Sequence, residues 1–519
     1  MNKLLFMYFT LIYFFIFVVS FSGNVGSFAY PTSHKAIDIV RHGTFGSISN
    51  FNITTFWVES LRVEEWYPVP SLILGIIALI INIDLNLLPF LPISGIVMFL
   101  FSYLLFKRLW YERLGNTRIY SIFLLVLPVY DIITRNTGFY IGRAALGTAL
   151  IVVGMYLILR IFDKYENERT KYIIVFLIFY IATYFTYYTA TLAIAFALFT
   201  LFLALKLRLM KNISNKNSTN LLYLTIYTFT FVLLQPIISS LIISPSNIFH
   251  HLLYAILVRL GLEQGDQPFM RMIPIDPLVT MVSTMISPVT KAIIYIVFVY
   301  YLASRIISKN LTINNIYDIF GFLIIGISLS EVFYLSYASI LPLRLFTIFT
   351  VFYLPILFVV ISQKYFRLLL YPVIVLFVIL YIGHVYYALF YGPMLTLERA
   401  VGIISYMSSS NDSNIIVIGD EIYTGYLFFK THIYNYTYHF TTFHRYIYKL
   451  FSSAHEVIDE TLTYFRARGI RYLLFPSDKR PICGDAWGYC VIPDEGILGY
   501  MRALYSFIYS DKFFILIKI

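Results

Sequence analysis

Residues 187–205 read YYTATLAIAFALFTLFLAL and are followed at once by KLRLMK at 206–211. The first run carries no charge and has the length, about 20 residues, that a helix needs to cross a bilayer. The lysines and the arginine behind it are typical of the cytoplasmic end of a membrane helix. This stretch therefore predicts a membrane span whose carboxyl end lies in the cytoplasm.

The rest of the chain repeats this alternation of apolar runs and charged gaps. Of its 519 residues, 59% are hydrophobic and 13% are charged, and the mean hydropathy is +0.78. Soluble domains carry about a quarter of charged residues, so this composition excludes an aqueous fold. We predict a mainly α-helical, polytopic bundle of about eleven transmembrane spans. They are 4–20, 86–106, 118–134, 140–160, 171–186, 187–205, 220–242, 289–304, 315–331, 340–362 and 367–389.

Lysine and arginine clusters fall in alternate gaps between these spans. With a cytoplasmic amino terminus, the clusters at 107–118, 160–171, 206–216, 305–309 and 364–367 all lie inside. This agreement with the positive-inside bias predicts a multi-pass protein of the cell membrane whose C-terminal region is extracytoplasmic. The apolar amino-terminal run is interpreted as a retained first helix, with a cleaved signal peptide as the alternative.

One apolar segment, 71–83, is left out of the spans because a helix of that length reaches only about 20 Å. Counting it would also move the cluster at 107–118 to the outer side. We expect a helix that lies in, or dips into, the outer membrane interface.

The threading leaves two large hydrophilic regions outside, a loop at 21–85 and the tail of the chain. We predict a transmembrane domain at 1–390, which includes the loop, and an extracytoplasmic α/β domain at 391–519. The tail reads as strands at 415–418, 472–475 and 513–519, with helices at 395–407 and 454–468.

The only two cysteines, Cys483 and Cys490, both lie in this tail. An oxidising exterior favours a disulfide between them. A zinc site would need further ligands that the two-cysteine loop does not offer.

The net charge of +11 does not indicate a nucleic-acid partner, because the positive residues stand beside the spans on the inner face. There they meet anionic headgroups, so membrane lipids are the expected partners.

The outer loop contains the most specific group of candidate functional residues, in the segment YPTSHKAIDIVRHG at 30–43. Thr32 or Ser33 can cap a helix that Gly43 ends. Spacing of four places His34, Asp38 and His42 near one face, with Arg41 adjacent. A carboxylate held there is able to act as general base on an acceptor hydroxyl. The alternative is a solvated, capped helix. A metal site on this face would lack a third ligand and its supporting shell.

Ionisable residues of the spans avoid the bilayer midplane, which makes a carrier of ions or polar solutes less favoured than a site at the outer surface. An arginine near an outer helix end, such as Arg135, Arg143 or Arg344, can pair with a phosphate. Snorkelling toward the headgroups is the alternative for each of them. The residues toward outer ends are Asp131, Arg143, Lys291, Glu331, Arg344 and His384, and Asp318 lies near an inner end.

Taken in order, these features resemble the GT-C class of membrane glycosyltransferases. The resemblance rests on a first span, an outer-loop helix ending in IVRHG at 39–43, and WYP at 66–68 leading into the interfacial segment. The tail segments ARGIRYLLF at 467–475 and FFILIKI at 513–519 are similar to the outer domain that ends many prokaryotic members.

The resemblance implies a polyprenyl-phosphate-linked sugar as donor and an extracytoplasmic acceptor. It implies donor phosphate binding by Arg135, Arg143, Arg271 or Arg344, and proton removal by an outer-loop carboxylate. Many relatives carry an acidic residue just ahead of the loop helix, where this chain has Pro31, Thr32 and Ser33. The candidate carboxylates here are therefore Asp38, supported by His34 and Arg41, and then Glu64, Glu65 and Asp131. No cofactor is assigned, and whether the protein requires a divalent metal ion stays open.

Two other functions stay open at this point. The missing upstream acid is compatible with a catalytically silent relative that serves as a scaffold subunit. A lipid or solute carrier would instead need charge-lined routes through the middle of the membrane.

Overall fold

The computed structural model describes helices and strands in both halves of the chain. The described ranges are 29–43, 67–91, 93–111, 142–162, 166–207, 215–240, 287–308, 316–337, 415–418, 439–441, 455–467, 471–476, 482–484, 489–491, 495–510 and 514–518, with a few single positions between them.

The described helices are α1 (Ala29–His42), α2 (Val69–Ile81), a 3₁₀ helix (Leu85–Phe90), α3 (Ile93–Tyr111), α4 (Arg143–Ile161), α5 (Glu166–Tyr184), α6 (Tyr188–Lys206), α7 (Asn215–Ser240), α8 (Ser287–Ile307), α9 (Ile316–Tyr337), α10 (His455–Ala467) and α11 (Glu495–Leu504). The strands are β1 (Ile415–Ile418), β2 (His439–Thr441), β3 (Tyr472–Pro476), β4 (Ile482–Gly484), β5 (Tyr489–Val491), β6 (Ser506–Ser510) and β7 (Phe514–Lys518). The described part of the chain is mainly α-helical, as predicted.

Helices α3 to α9 overlap the predicted spans between 86 and 331, apart from 118–134, with bounds that differ by up to seven residues. The predicted spans 4–20, 118–134 and 340–362 lie outside the described residues, as does nearly all of 367–389. Within the described residues, α6 is the helix that is both long enough and apolar enough to cross a membrane. Its bounds, Tyr188–Lys206, lie within one residue of the predicted span at 187–205.

The described residues form two compact units. One contains α3 to α9. The other contains α1, α2, the 3₁₀ helix and the strands and helices of the tail, so the described part of the outer loop belongs to the same unit as the α/β region.

In the first unit, α6 is the central helix and packs against α4, α5, α7 and α9. Small residues recur along it: Ala193, Ala197, Thr200 and Ala204 follow at intervals of four, three and four. Gly326 of α9 meets this helix so closely that an added Cβ would overlap Phe196 O and Ala197 Cα. Small residues at such crossings let two backbones approach, which is the usual packing of helices in membranes.

An ion pair between a partly exposed arginine and a buried aspartate joins the last turn of α8 to the first turn of α9. Arg305 donates two hydrogen bonds to Asp318, Nε to Oδ1 at 3.0 Å and Nη2 to Oδ2 at 2.7 Å. Tyr301 donates a longer one to Oδ1 at 3.4 Å. Asp318 is 0% exposed, so its charge is compensated within the protein.

We expect Asp318→Asn to lower the free energy of unfolding by about 1.5 to 3 kcal/mol, because the partly exposed Arg305 guanidinium loses its charge-assisted hydrogen bonds to the carboxylate. The measurement is reversible unfolding of the detergent-solubilised protein. The double variant Arg305→Leu with Asp318→Leu, which leaves no unpaired charge, is expected to recover most of the loss. Equal destabilisation by the single and the double variant would show that the pairing of charges is not the cause.

The tail forms a five-stranded sheet in the order β2-β1-β3-β7-β6. Strands β1, β2 and β3 run parallel, whereas β7 is antiparallel to both β3 and β6. The predicted strands at 415–418, 472–475 and 513–519 and the predicted helix at 454–468 are confirmed to within one residue. The predicted helix at 395–407 lies outside the described residues.

Candidate functional site

Helix α1 carries the predicted constellation of the outer loop. It begins by Ala29, and Pro31 lies in its first turn, where the missing proline amide is tolerated. Thr32 and Ser33 therefore lie inside the helix, and their interpretation as its amino-terminal cap is wrong. The predicted end is confirmed: Gly43 adopts φ +68°, a left-handed conformation that favours glycine, and its amide donates to Ile39 O at 2.9 Å.

The polar residues of α1 are buried. Lys35 is 1% exposed and Asp38 is 8% exposed, and Thr32, Ser33 and His34 are buried as well. Exposure begins only at Arg41 and His42, in the last turn. The alternative of a solvated helix is therefore wrong for residues 29–38. Burying charged side chains is costly unless they are paired. These polar residues are therefore not explained by contact with solvent.

His34 and Asp38 lie on the same face of α1, as their spacing predicts. His34 Nδ1 is 3.7 Å from Asp38 Oδ2, within ion-pair range but too long for a hydrogen bond. Both side chains are nearly buried, at 5% and 12% exposed. Such a pair offers a proton acceptor in a setting with little water. Arg41, the other predicted supporting residue, is at the surface.

Helix α2 and the 3₁₀ helix pack against α1. The face of α2 toward α1 is formed by small and apolar residues, and a Cβ added at Gly75 would lie 3.4 Å from Ile39 Cγ2. Its other residues leave an apolar surface uncovered, including Ile76, Leu79 and Ile80. The predicted helix at 71–83 is thus confirmed at Val69–Ile81, with 13 residues. Its place in a membrane interface stays a prediction.

Arg143 is the first residue of α4. The residue before the helix, Gly142, has no side chain to cap the first turn, and its carbonyl accepts a hydrogen bond from Leu146 N at 2.8 Å. The amides of a helix amino terminus attract anions. The side chain of Arg143 lies outside the described residues.

The remaining predicted site residues, Glu64, Glu65, Asp131, Arg135, Arg271 and Arg344, lie outside the described residues. In the tail, β4 pairs antiparallel with β5, and Cys483 stands directly opposite Cys490. Residues opposite each other in such a ladder are at a separation that a disulfide is able to bridge. The disulfide itself stays a prediction.

Lys35 was missed by the sequence interpretation. The signal was present, because Lys35 stands three residues before Asp38 and therefore shares its side of the helix. Nothing in a single sequence, however, distinguishes a buried lysine from a solvated one.

A second polar cluster joins α10 to α11 in the α/β region. Tyr500 donates its hydroxyl to Asp459 Oδ2 at 2.8 Å, Tyr505 donates to Oδ1 at 3.4 Å, and Arg466 lies 5.1 Å from the Tyr505 ring. The hydrogen bond to Asp459, followed by burial and the nearby charge, raises the pKa of Tyr500. The cluster links two helices, a structural role.

Among the described residues, no group of three or more histidine, cysteine, aspartate or glutamate side chains is placed to hold a metal ion. Comparison of the chain with protein-family models finds no match, and comparison with curated protein sequences finds none either.

Proposed function

We propose that this protein is a multi-pass membrane glycosyltransferase of the GT-C type, which moves a sugar from a polyprenyl-phosphate donor to an acceptor outside the cytoplasm. The observation that carries the proposal is the buried His34–Asp38 pair on the outer-loop helix. A carboxylate and an imidazole held together in a nearly dry site are suited to removing a proton from an acceptor hydroxyl.

Exposed apolar faces on the bundle helices support the membrane location. Ile178 of α5 and Ile296 of α8 are 66% and 67% exposed. Each belongs to a series along one side of its helix, with Ile174 and Ile181 in α5 and with Val299 and Tyr300 in α8. Contiguous apolar surface of this kind is unusual on a soluble monomer and is what a helix presents to lipid.

The proposed threading keeps the amino terminus in the cytoplasm and the α/β domain outside. In this threading the Arg305–Asp318 pair lies at the inner side, and α1, α2 and the tail lie at the outer side. The opposed Cys483 and Cys490 are compatible with an oxidising exterior. The uncovered apolar residues of α2 suit a short helix in the outer interface.

Arg143, at the start of α4, is the best-supported candidate for the donor phosphate. Arg143 begins α4, and the backbone amides of a helix amino terminus attract anions. Arg135, Arg271 and Arg344 remain further candidates from the sequence. Negative charge grows on the departing phosphate as the sugar leaves, and cations placed there lower the barrier.

The test is transfer by the purified protein in lipid nanodiscs. We expect transfer from at least one member of a panel of polyprenyl-phosphate sugars to an acceptor in a membrane or cell-wall extract, measured as labelled product. Binding of the donors is measured in parallel. Donor binding without transfer to any acceptor, by protein that stays folded, would favour the scaffold alternative. Absence of both would contradict the proposal.

A further inference from the structure

Helix α2 has apolar residues on two sides, and α1 covers one of them. The buried side contains Leu74, Gly75 and Ala78. A Cβ added at Gly75 would lie 3.4 Å from Ile39 Cγ2 of α1. The side chains of the other side follow one another at helical spacing, so they share one face. We call them the exposed face of α2: Leu72, Ile76, Leu79 and Ile80. Exposure reaches 52% at Ile76 and 76% at Ile80.

The exposed face of α2 offers a partner apolar contact and nothing else. Residues 69–81 contain no ionisable side chain, and their single polar side chain, Ser71, is buried. A helix that borders water normally presents charged or polar side chains on that side. A continuous apolar strip on a protein surface instead marks a contact with an apolar partner. A charged surface would gain no ion pair from this face.

The chain keeps α2 close to a proposed membrane span. Residues 82–92 connect it to α3, and most of them form the 3₁₀ helix, which packs against α1 and α2. This helix of 6 residues extends only about 12 Å, at about 2.0 Å per residue, so the connection is short. Helix α3 in turn exposes Ile96, Leu100 and Leu104 at intervals of four, a stripe of the kind that faces lipid. The acyl chains beside the outer end of α3 are thus an apolar partner within reach of α2.

We propose that the exposed face of α2 docks on the outer leaflet of the membrane, against the acyl chains just below the headgroups, and that α2 thereby sets the height at which α1 is held. This inference rests on the proposed function, which places α3 across the membrane and the outer loop outside. An interfacial helix buries its apolar face about 5–10 Å into the boundary between headgroups and acyl chains. The axes of two packed helices lie about 8–10 Å apart. Helix α1, behind α2, is then at the level of the headgroup phosphates, where the phosphate of a lipid-linked sugar also lies.

The residues after α2 set its orientation in the interface. Asn82 ends the helix with φ +52°, and Asp84 accepts hydrogen bonds from Asn86 N at 2.9 Å and from Asn86 Nδ2 at 3.1 Å. Asn82 and Asp84 are both exposed. A carboxylate is costly to place among acyl chains, so this end of α2 stays at headgroup depth. The helix therefore lies along the membrane surface, with its exposed face toward the lipid and α1 on the side away from it.

The first test identifies what touches the exposed face and needs no sugar donor. The full-length protein is placed in nanodiscs of phosphatidylcholine, with a leucine-sized diazirine amino acid in place of Ile76 in one variant and of the buried Leu74 in another. Adducts formed on illumination are identified by mass spectrometry. We expect phospholipid adducts at position 76 and adducts within the chain at position 74. Crosslinks from position 76 to a second copy or to another segment of the same chain would overturn the proposal, as would reaction with water alone.

The second test weakens docking without changing the packing of α2 on α1. Ile80→Asp places a charge on the most exposed residue of the face, so the thermal midpoint is expected to stay native. Losing the burial of one isoleucine weakens an apolar contact by at least about tenfold, and the added charge is excluded from lipid. We therefore expect the yield of phospholipid adduct at position 76 to fall by about tenfold or more. An unchanged yield would refute docking through this face.

Asn82→Asp is the matched control, since it adds the same charge two residues further on, at an exposed polar position where aspartate tolerates the left-handed conformation. Native adduct yield is expected for this variant. Transfer from polyprenyl-phosphate donors is expected to fall in Ile80→Asp and to stay native in Asn82→Asp. Native transfer by an Ile80→Asp protein that has lost its phospholipid adducts would refute the role of α2 in placing α1.

Failure of the docking proposal and failure of the proposed function give different results. Phospholipid adducts at position 76 without transfer from any donor would contradict the proposed transferase and leave the docking of α2 standing. Transfer without phospholipid adducts at position 76 would refute the docking and leave the transferase standing.

Discussion

Gly326→Val is expected to separate α9 from α6 and to leave little folded protein. A Cβ at this position would overlap backbone atoms of Phe196 and Ala197 as well as the Thr200 hydroxyl. Backbone atoms cannot move aside as the end of a side chain can, so the two helices would have to part. We expect a loss of at least about 3 kcal/mol in the free energy of unfolding, beyond the usual cost of overpacking. Yield of monodisperse protein and the thermal midpoint in detergent measure it.

Gly321 provides a control in the same helix. A Cβ there would meet the Leu302 side chain, with Cδ2 at 3.0 Å, and a side-chain end of this kind is able to shift. Gly321→Ala is therefore expected to be neutral or slightly stabilising, because alanine favours a helix over glycine by up to about 1 kcal/mol. Gly326→Ala is expected to be destabilising despite the same gain. Equal midpoints for the two alanine variants would contradict the close crossing of α6 and α9.

Asp38→Asn is expected to lower the rate of sugar transfer by about a hundredfold to ten thousandfold, while the protein stays folded. The exchange keeps the size of the side chain and removes its charge. If this carboxylate takes the proton of the acceptor hydroxyl, as proposed, the variant loses its general base. The measurement is the single-turnover rate at saturating donor, together with donor affinity.

Asp84→Asn is the matched control for this change. Asp84 is an exposed carboxylate of the same unit, and its role as a cap is one that asparagine also fulfils. Native rates are expected for this variant. A native rate in Asp38→Asn would remove Asp38 from the mechanism. A fall in both variants would point to a general effect of removing a negative charge from this part of the chain.

Helix α6 could be predicted as a membrane-spanning segment from its length and absence of charge, since these two properties are what crossing a bilayer requires. Helix α6 illustrates the accuracy, with its start shifted by one residue. The start of α3 was predicted at 86 and lies at 93. The difference arises because Leu85–Phe90, which contains Pro89, forms a separate 3₁₀ helix. Its residues are apolar, so the hydrophobic run in the sequence begins before α3 does.

The helix of the outer loop and its glycine end could be predicted as well, because Gly43 is suited to the left-handed conformation. The burial of Lys35 and Asp38 could not, since a periodicity argument assigns polar side chains to solvent and has no knowledge of what packs on the helix. The 3.7 Å approach of His34 to Asp38 follows from spacing of four. Which nitrogen faces the carboxylate depends on the ring rotamer, and a sequence carries no information on that.

The Arg305–Asp318 pair connects residues only 13 positions apart in the chain. Nascent α8 and α9 thus bring both charges out of the ribosome within seconds of each other, at a synthesis rate of about 5–20 residues per second. Without Arg305, the buried Asp318 carboxylate in the first turn of α9 would have no compensating charge, and an unpaired buried charge of this kind costs about 3 to 5 kcal/mol. Neutralised by its neighbour, the α8–α9 hairpin is suited to form as one local unit as soon as both helices have been synthesised.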